Sequence, residues 1–285
     1  MRFLLALAMA FALIAPAVAE AQSPTLERIK ETKKFRIGFR PAQPPMSFIN
    51  ADGQPSGYSI DLCLRIAAGV RSILSLPEME VEFVSVEANT RFPALTEGAI
   101  DILCGTTTKT IGRSELVDFT SLTFVTGATL MSVKDRGING LADLQGKRVG
   151  VVRGTTSAAA LEDALLKSVI EPKILGVGTT TAGFEALKAG EIDAFAGDQV
   201  ILIGLIFTSE DPTAYSLSAD LFSFEPFALA IQRNDNDFRL IADAVLAQLY
   251  RGGAIDGIYN KWFGVISKTK PQVLEALYLL GATPK

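Results

Sequence analysis

One stretch carries much of the polar chemistry available to this chain: Cys104-Gly105-Thr106-Thr107-Thr108-Lys109-Thr110-Ile111-Gly112-Arg113. A glycine there lets backbone approach a small ligand. Three hydroxyls followed by an arginine can grip a carboxylate, because the planar guanidinium presents a two-pronged donor. A threonine-rich capped turn with a surface arginine is the plainer account of the same residues. Gly154-Thr155-Thr156-Ser157 is a second candidate. The free amides and positive dipole end of a helix start favour an anion, although an ordinary capped helix has the same composition. Asp198 is the third. At a strand end it can receive an ammonium group, or simply cap the helix that follows.

Other chemistry is excluded by what the chain lacks. Among 285 residues there is no histidine. That removes the usual general base near neutral pH and the commonest metal ligand. Ser-His-Asp and Cys-His nucleophiles are ruled out with it, and no metal or cofactor is expected. The formal charge is −4 with no Lys/Arg-dense stretch, so nucleic acid and acidic membranes are not expected partners. Two cysteines remain, Cys63 and Cys104. In an exported protein they either form a disulfide or stay as small buried thiols. A bridge would close a loop of roughly 40 residues and contribute about 3–4 kcal/mol in the chain-entropy model.

Export is suggested by the first residues. Arg2 precedes an apolar run, Phe3–Ile14, too short to span a bilayer. Ala17-Val18-Ala19 and Ala19-Glu20-Ala21 are both small-x-small cleavage sites. Residues 1–21 therefore read as a signal peptide.

The elements that must position the candidate residues alternate between strand and helix, an α/β pattern. Phe35–Phe39 is a short strand, followed by a Pro-rich loop from Arg40 and a turn at Asn50-Ala51-Asp52-Gly53. Ser59 is expected to cap a helix over Ile60–Ala68, and Thr90 one over Arg91–Thr96. Val81–Val86 and Ile100–Leu103 are strands. A second unit of the same grammar follows, with strands at Arg148–Val152, Lys173–Val177 and Ile192–Ala196 and helices near Ala158–Lys167 and Ala182–Ala189. The chain closes with a helix over Asp237–Tyr250, with Phe238, Ile241, Val245 and Leu249 on its core face, and a short one near Ile255–Phe263. Two such units imply two open sheets, and ligands bind open sheets at the carboxyl ends of the strands. Arg40, Thr106, Thr108, Arg113, Thr156 and Asp198 all fall at those ends or in the loops beyond them.

As an ordered set these motifs resemble the polar-amino-acid periplasmic binding proteins, solute-binding protein family 3, which feed ABC importers. The resemblance is carried by Arg36-Ile37-Gly38, Pro45, Gly53, Gly57-Tyr58-Ser59-Ile60-Asp61-Leu62, Arg91–Arg113, Val117-Asp118-Phe119-Thr120, Asp143-Leu144, Gly146-Lys147, Val149–Ser157 and Lys261-Trp262-Phe263. It implies a two-lobed fold, each lobe a mixed sheet flanked by helices, joined by a two-strand hinge near Phe124 and Phe227. Lobe one would be residues 22–126 plus 229–285, and lobe two 127–228. A small amino acid would lie between them. Arg113 would hold its α-carboxylate, helped by the backbone and hydroxyl of Thr156. Asp198 would pair with its α-ammonium, with Thr106 and Thr108 completing that end. The partners implied are the membrane subunits of an ABC importer, the location the periplasm, and the receptor itself a monomer.

Within that family the chain is most similar to the glutamate/aspartate-binding branch, through Thr90-Arg91, Cys104-Gly105-Thr106-Thr107-Thr108 and Arg40. The resemblance makes Arg40 and Arg91 candidates for a side-chain carboxylate. It departs from the branch at Thr180, where relatives often carry histidine, and at Met46, where many have phenylalanine. Hence a different polar amino acid stays open as ligand. Some periplasmic dehydratases share the fold. They need a carboxylic acid poised in the cleft, and no Asp or Glu other than Asp198 is expected there, so the expected role is not enzymatic.

Overall fold

The computed structural model describes residues 23–267 and 269–284. The expected signal peptide, residues 1–21, lies outside them. The chain runs α1 (Pro24–Thr32), β1 (Lys34–Phe39), β2 (Ala42–Gln43), β3 (Ser47–Ile49), β4 (Pro55–Ser56), α2 (Tyr58–Ile73), β5 (Glu80–Ser85), α3 (Arg91–Thr96), β6 (Ile102–Cys104), α4 (Ile111–Ser114), β7 (Asp118–Thr126) and β8 (Ala128–Val133). It continues through β9 (Arg148–Val152), α5 (Thr156–Ser168), β10 (Lys173–Val177), α6 (Thr180–Lys188), β11 (Ala194–Asp198), α7 (Gln199–Thr208), β12 (Tyr215–Leu217), β13 (Glu225–Ile231), α8 (Asn236–Arg251), α9 (Ala254–Phe263) and α10 (Gln272–Gly281).

Two five-stranded sheets organise it, in the orders β5-β1-β6-β13-β7 and β10-β9-β11-β8-β12. In each sheet the three strands from βα units are parallel, the next strand (β13 in the first, β8 in the second) is antiparallel to them, and the edge strands β7 and β12 pair antiparallel to that strand. The chain leaves the first sheet between β7 and β8, at Gly127, and returns between β12 and β13. Gly127 sits where a side chain could not: a Cβ there would lie 2.4 Å from the Ser223 carbonyl oxygen on the returning segment. Phe124 and Phe227 are register partners in the β7–β13 pair, with rings stacked at 6.4 Å. The parallel strands all end toward the gap between the sheets, which delivers Arg40, the Gly105–Thr110 loop, the start of α5 and Asp198 to one region.

Local chemistry departs from expectation at two helix starts. Ser59 does not cap α2. The helix begins at Tyr58, after Gly57 at φ +136°, where a Cβ would meet the Met46 carbonyl at 2.3 Å. Freed from capping, the Ser59 hydroxyl donates to the Gly105 carbonyl and ties α2 to the loop after β6. Thr90 likewise makes no cap bond; its hydroxyl accepts from the Glu87 amide. Thr155 does cap α5, accepting from the Ala158 amide, which leaves the amides of Thr156 and Ser157 without intrahelical partners. The core face of α8 is centred on Phe238, Ala242, Leu246 and Leu249. Ile241 and Val245 are only partly buried beside that line, so the stripe read from the sequence is rotated by about a residue.

Cys63 of α2 and Cys104 of β6 are joined in a disulfide across a separation of 41 residues. It pins the helix to the strand whose end carries the threonine loop. One continuous apolar cluster, including Met46, Phe124, Val200 and Ile201, runs from the first sheet through the crossing strands to α7. No helix among the described residues is long and apolar enough to cross a membrane.

Candidate functional site

Three arginines line one side of the gap. Arg40, just past β1, is 2% exposed. Gly105 makes room for it, since a Cβ there would lie 3.0 Å from the Arg40 Cγ. This glycine thus admits an arginine stem, a use the sequence did not suggest. Arg40 Nη2 donates to Glu87 Oε2 at 3.1 Å, while Nε and Nη1 have no partner. Arg91, the first residue of α3, is equally buried and its Nε is also unpartnered. Arg113 donates from Nη1 to the Thr108 carbonyl at 2.8 Å. Arg91 and Arg113 both lie over the Phe92 ring, at 4.9 and 5.6 Å from its centroid. Phe92 is the element that holds those two cations together, and cation–π attraction offsets part of their repulsion.

The electrostatics follow from that crowding. Burial pushes the Arg91 guanidinium down to about 9, and the neighbouring charges of Arg113 and Arg40 push the same way, with Asp198 opposing. Burial also lowers Arg113, against the favourable charges of Glu225 and Asp198. Arg113 and Asp198 therefore face one common gap. Unpartnered donors on buried cations are costly unless an anion meets them.

The other side is acidic. Asp198 ends β11 and precedes α7, yet its side chain makes no helix-capping bond. It accepts from the Ser157 hydroxyl at 3.0 Å instead. Burial raises its pKa to about 7, with Glu225 adding to the rise, while the Ser157 bond and the charges of Arg91 and Arg113 act against it. The small cavity beside it is lined by Gln43, Val152, Ser157, Thr180 and Ile201 among others. Thr180 thus stands near Asp198.

Glu225 corrects the expectation that no other carboxyl group lies near. It is 1% exposed, and its Oε2 accepts from the hydroxyls of Thr108 at 2.5 Å and Thr156 at 2.7 Å. The Thr156 hydroxyl is consequently committed to Glu225, and does not donate toward Arg113's side of the gap as expected. Thr108 is committed in the same way, and Thr106 donates to Gln43 Oε1 at 2.5 Å. The oxygens of Thr106 and Thr108 remain able to accept. Glu225, Gln43 and Phe92 were all missed from sequence. An acidic residue opening the apolar strand Glu225–Ile231 was the one available signal, since a buried strand seldom begins on an unpaired charge.

Comparison with known proteins gives a consistent result. The L-glutamate/L-aspartate-binding protein of Pseudomonas aeruginosa is 34% identical over 257 residues, covering 88% of this chain and 83% of that protein. The glutamate/aspartate import solute-binding protein of Salmonella typhimurium is 28% identical, covering 86% and 81%. Among solved structures, an ancestral amino acid-binding protein described as a precursor of cyclohexadienyl dehydratase superposes with TM-score 0.73 at 28% identity, covering 84% of this chain and 99% of that one. A cysteine-binding protein from Campylobacter jejuni gives 0.74 at 26%, covering 85% and 93%. Residues 35–265, which include both sheets and every arginine and carboxylate of the gap, match one family throughout, and the chain belongs to the bacterial extracellular solute-binding proteins, family 3.

Proposed function

We propose that this chain is an extracytoplasmic receptor that captures glutamate or aspartate between its lobes and presents it to the membrane subunits of an ABC importer. One observation carries the choice of ligand: buried guanidinium donors at Arg40 and Arg91 that no protein group satisfies, opposite a carboxylate at Asp198. In this reading Arg113 and the Thr156 amide hold the α-carboxylate. Asp198, with the oxygens of Thr106 and Thr108, receives the α-ammonium. Arg40 and Arg91 meet the side-chain carboxylate. Relatives named for glutamate and aspartate support the assignment. The receptor acts as a monomer in the periplasm after loss of residues 1–21. Lobes of residues 22–126 plus 229–285 and 127–228 close by bending where the chain crosses, because only the closed form adds the contacts of lobe two.

A thermal-shift screen of the twenty amino acids tests this directly. L-glutamate and L-aspartate are expected to raise the melting point by mass action. In calorimetry Arg91→Ala should weaken both by roughly ten- to a hundredfold, the size of a lost charged hydrogen bond. Any binding of glutamine should change little. Equal losses for acidic and amide ligands would defeat the assignment of Arg91.

The raised pKa of Asp198 gives a second test. With its pKa up at about 7, the carboxyl group holds a proton at pH 6, whereas an incoming ammonium group favours the carboxylate. Binding should then release up to one proton at pH 6 and almost none at pH 8.5, and affinity should rise as pH rises through 7. Without ligand the sign is opposite: stability from this group is complete below about 4 and is lost as pH rises through 7. Titrations in buffers of different ionisation enthalpy measure the proton count, and no release at pH 6 would contradict the pairing.

One observation favours a second reading, a dehydratase on the same fold. Asp198 and Glu225 form a pair of cleft carboxyl groups, and Asp198 is poised near neutrality, as acid–base chemistry needs. Turnover of a prephenate-like acid would establish it.

A further inference from the structure

Glu225 is the first residue of β13, where the chain re-enters the first sheet. Three hydroxyls are spent on its carboxylate. Ser223 donates to Oε1 at 2.7 Å, and Thr108 and Thr156 donate to Oε2 at 2.5 and 2.7 Å. Thr108 hangs from the loop after β6, in the first lobe. Thr156 is the first residue of α5, packed on the second sheet. The two threonine oxygens are 3.1 Å apart. A single carboxylate oxygen therefore joins the lobes, next to the segment about which they must turn. Thr108 is tied to that segment a second time, through its bridge to Phe227. Swinging lobe two away would carry α5 off and break the Thr156 bond. The Thr108 bond lies on the side that stays, because β13 pairs in the first sheet although the expected lobe boundary falls at 228. Ser223 belongs to the crossing segment, where its hydroxyl accepts from the Ala128 amide.

We propose that Glu225 is an interlobe latch: a positioning residue that favours closure through Thr156 and turns the Thr108 and Thr156 hydroxyl protons toward itself. A contact present in only one of two arrangements shifts their populations by its own free energy. With both protons directed at Glu225, the hydroxyl oxygens offer lone pairs to the gap. They accept from an ammonium group and do not donate to a carboxylate. The latch deepens the binding reading by giving closure a component that needs no ligand. A receptor fractionally closed in advance binds more tightly by that fraction.

The test compares the wild type with Glu225→Gln, Thr156→Val and the double variant, each checked for folding by circular dichroism. X-ray scattering on ligand-free protein reports lobe separation. Both single variants should be more expanded than the wild type, and the double variant no more so than Thr156→Val, because the valine removes the bond that glutamine, a neutral acceptor, only weakens. In calorimetry and stopped-flow with L-glutamate, each single variant should bind about tenfold more weakly, mainly through faster dissociation, with non-additive losses. Identical ligand-free scattering in wild type and variants, or additive losses, overturns the latch. Thr156→Val decides the matter if Glu225→Gln does not fold, since it leaves the buried carboxylate and two of its three donors. A wild type that ignores L-glutamate would sink the ligand assignment alone. The scattering comparison contains no ligand and would still decide the latch.

Discussion

Replacing Arg113 by alanine is expected to abolish amino-acid binding while leaving the fold intact. Every free amino acid carries an α-carboxylate, so the residue that holds it is needed whatever the side chain. Arg113 is suited to this by position. Its Nη1 is anchored on the Thr108 carbonyl, and the Phe92 face carries the guanidinium. Both fix the plane of the fork, leaving other N–H groups to aim into the gap. Breaking one partner of a desolvated charge pair costs about 3–5 kcal/mol, which is a loss of roughly two to three and a half powers of ten in affinity. Against that, the fold loses one hydrogen bond to a carbonyl, about 1 kcal/mol. Binding should thus disappear from calorimetry at concentrations where the circular dichroism spectrum and melting curve are nearly unchanged. Arg113→Lys separates charge from geometry. A lysine keeps the charge and loses the fork, so it should recover only part of the affinity. If Arg113→Ala bound glutamate as the wild type does, no residue role proposed for the gap would stand.

What was legible in the sequence followed from local rules. Strand–turn–helix grammar placed Arg40, Thr106, Thr108, Thr156 and Asp198 at the ends of parallel strands, and open sheets converge there. The three arginines, three different elements apart in sequence, fall together because β1 and β6 are sheet neighbours and α3 packs against both. Other features depend on pairings that local pattern does not contain. Glu225 meets Thr108 across 117 residues and Thr156 across 69. Its importance appears only when β13 is paired with β7, and that pairing exists because the chain crosses twice between sheets. Phe92 read as an ordinary apolar helix residue. Its use as a platform for two cations needs Arg113 brought over it from α4. Ser59 and Thr90 were misread as caps for the opposite reason. Each obeys the composition of a cap, but a tertiary acceptor for Ser59 and a neighbouring amide for Thr90 outcompete the helix. The disulfide was readable as a possibility, since two cysteines in an exported chain allow it. Its formation needed α2 packed against β6.

The second large effect is expected at a residue that has no side chain. Gly204 lies in the interior of α7, on the second lobe, and faces Pro44, just past β2 on the first. A Cβ built there would lie 1.9 Å from the Pro44 carbonyl oxygen and 2.4 Å from its carbon. Both atoms are backbone, so no side chain can swing aside, and the lobes would have to separate by more than an ångström. Gly204→Ala therefore opposes closure. Two effects compete in this variant, and their sizes differ. Alanine is the better helix former by about 0.8–1 kcal/mol, so α7 itself should be steadier and the melting point of the ligand-free protein level or raised. Closure, however, brings in Asp198 and the start of α5. Losing a charged hydrogen bond of this kind costs about 1.5–3 kcal/mol, or roughly ten- to a hundredfold in affinity. A variant that is more stable alone yet binds more weakly is an outcome that damage to the fold cannot produce. X-ray scattering with saturating ligand should find Gly204→Ala more open than the wild type, and Gly204→Val more open still. Calorimetry that gave all three proteins one affinity would mean that these lobes need not meet at Pro44 to hold their ligand, and closure by contact between α7 and the segment after β2 would have to be abandoned.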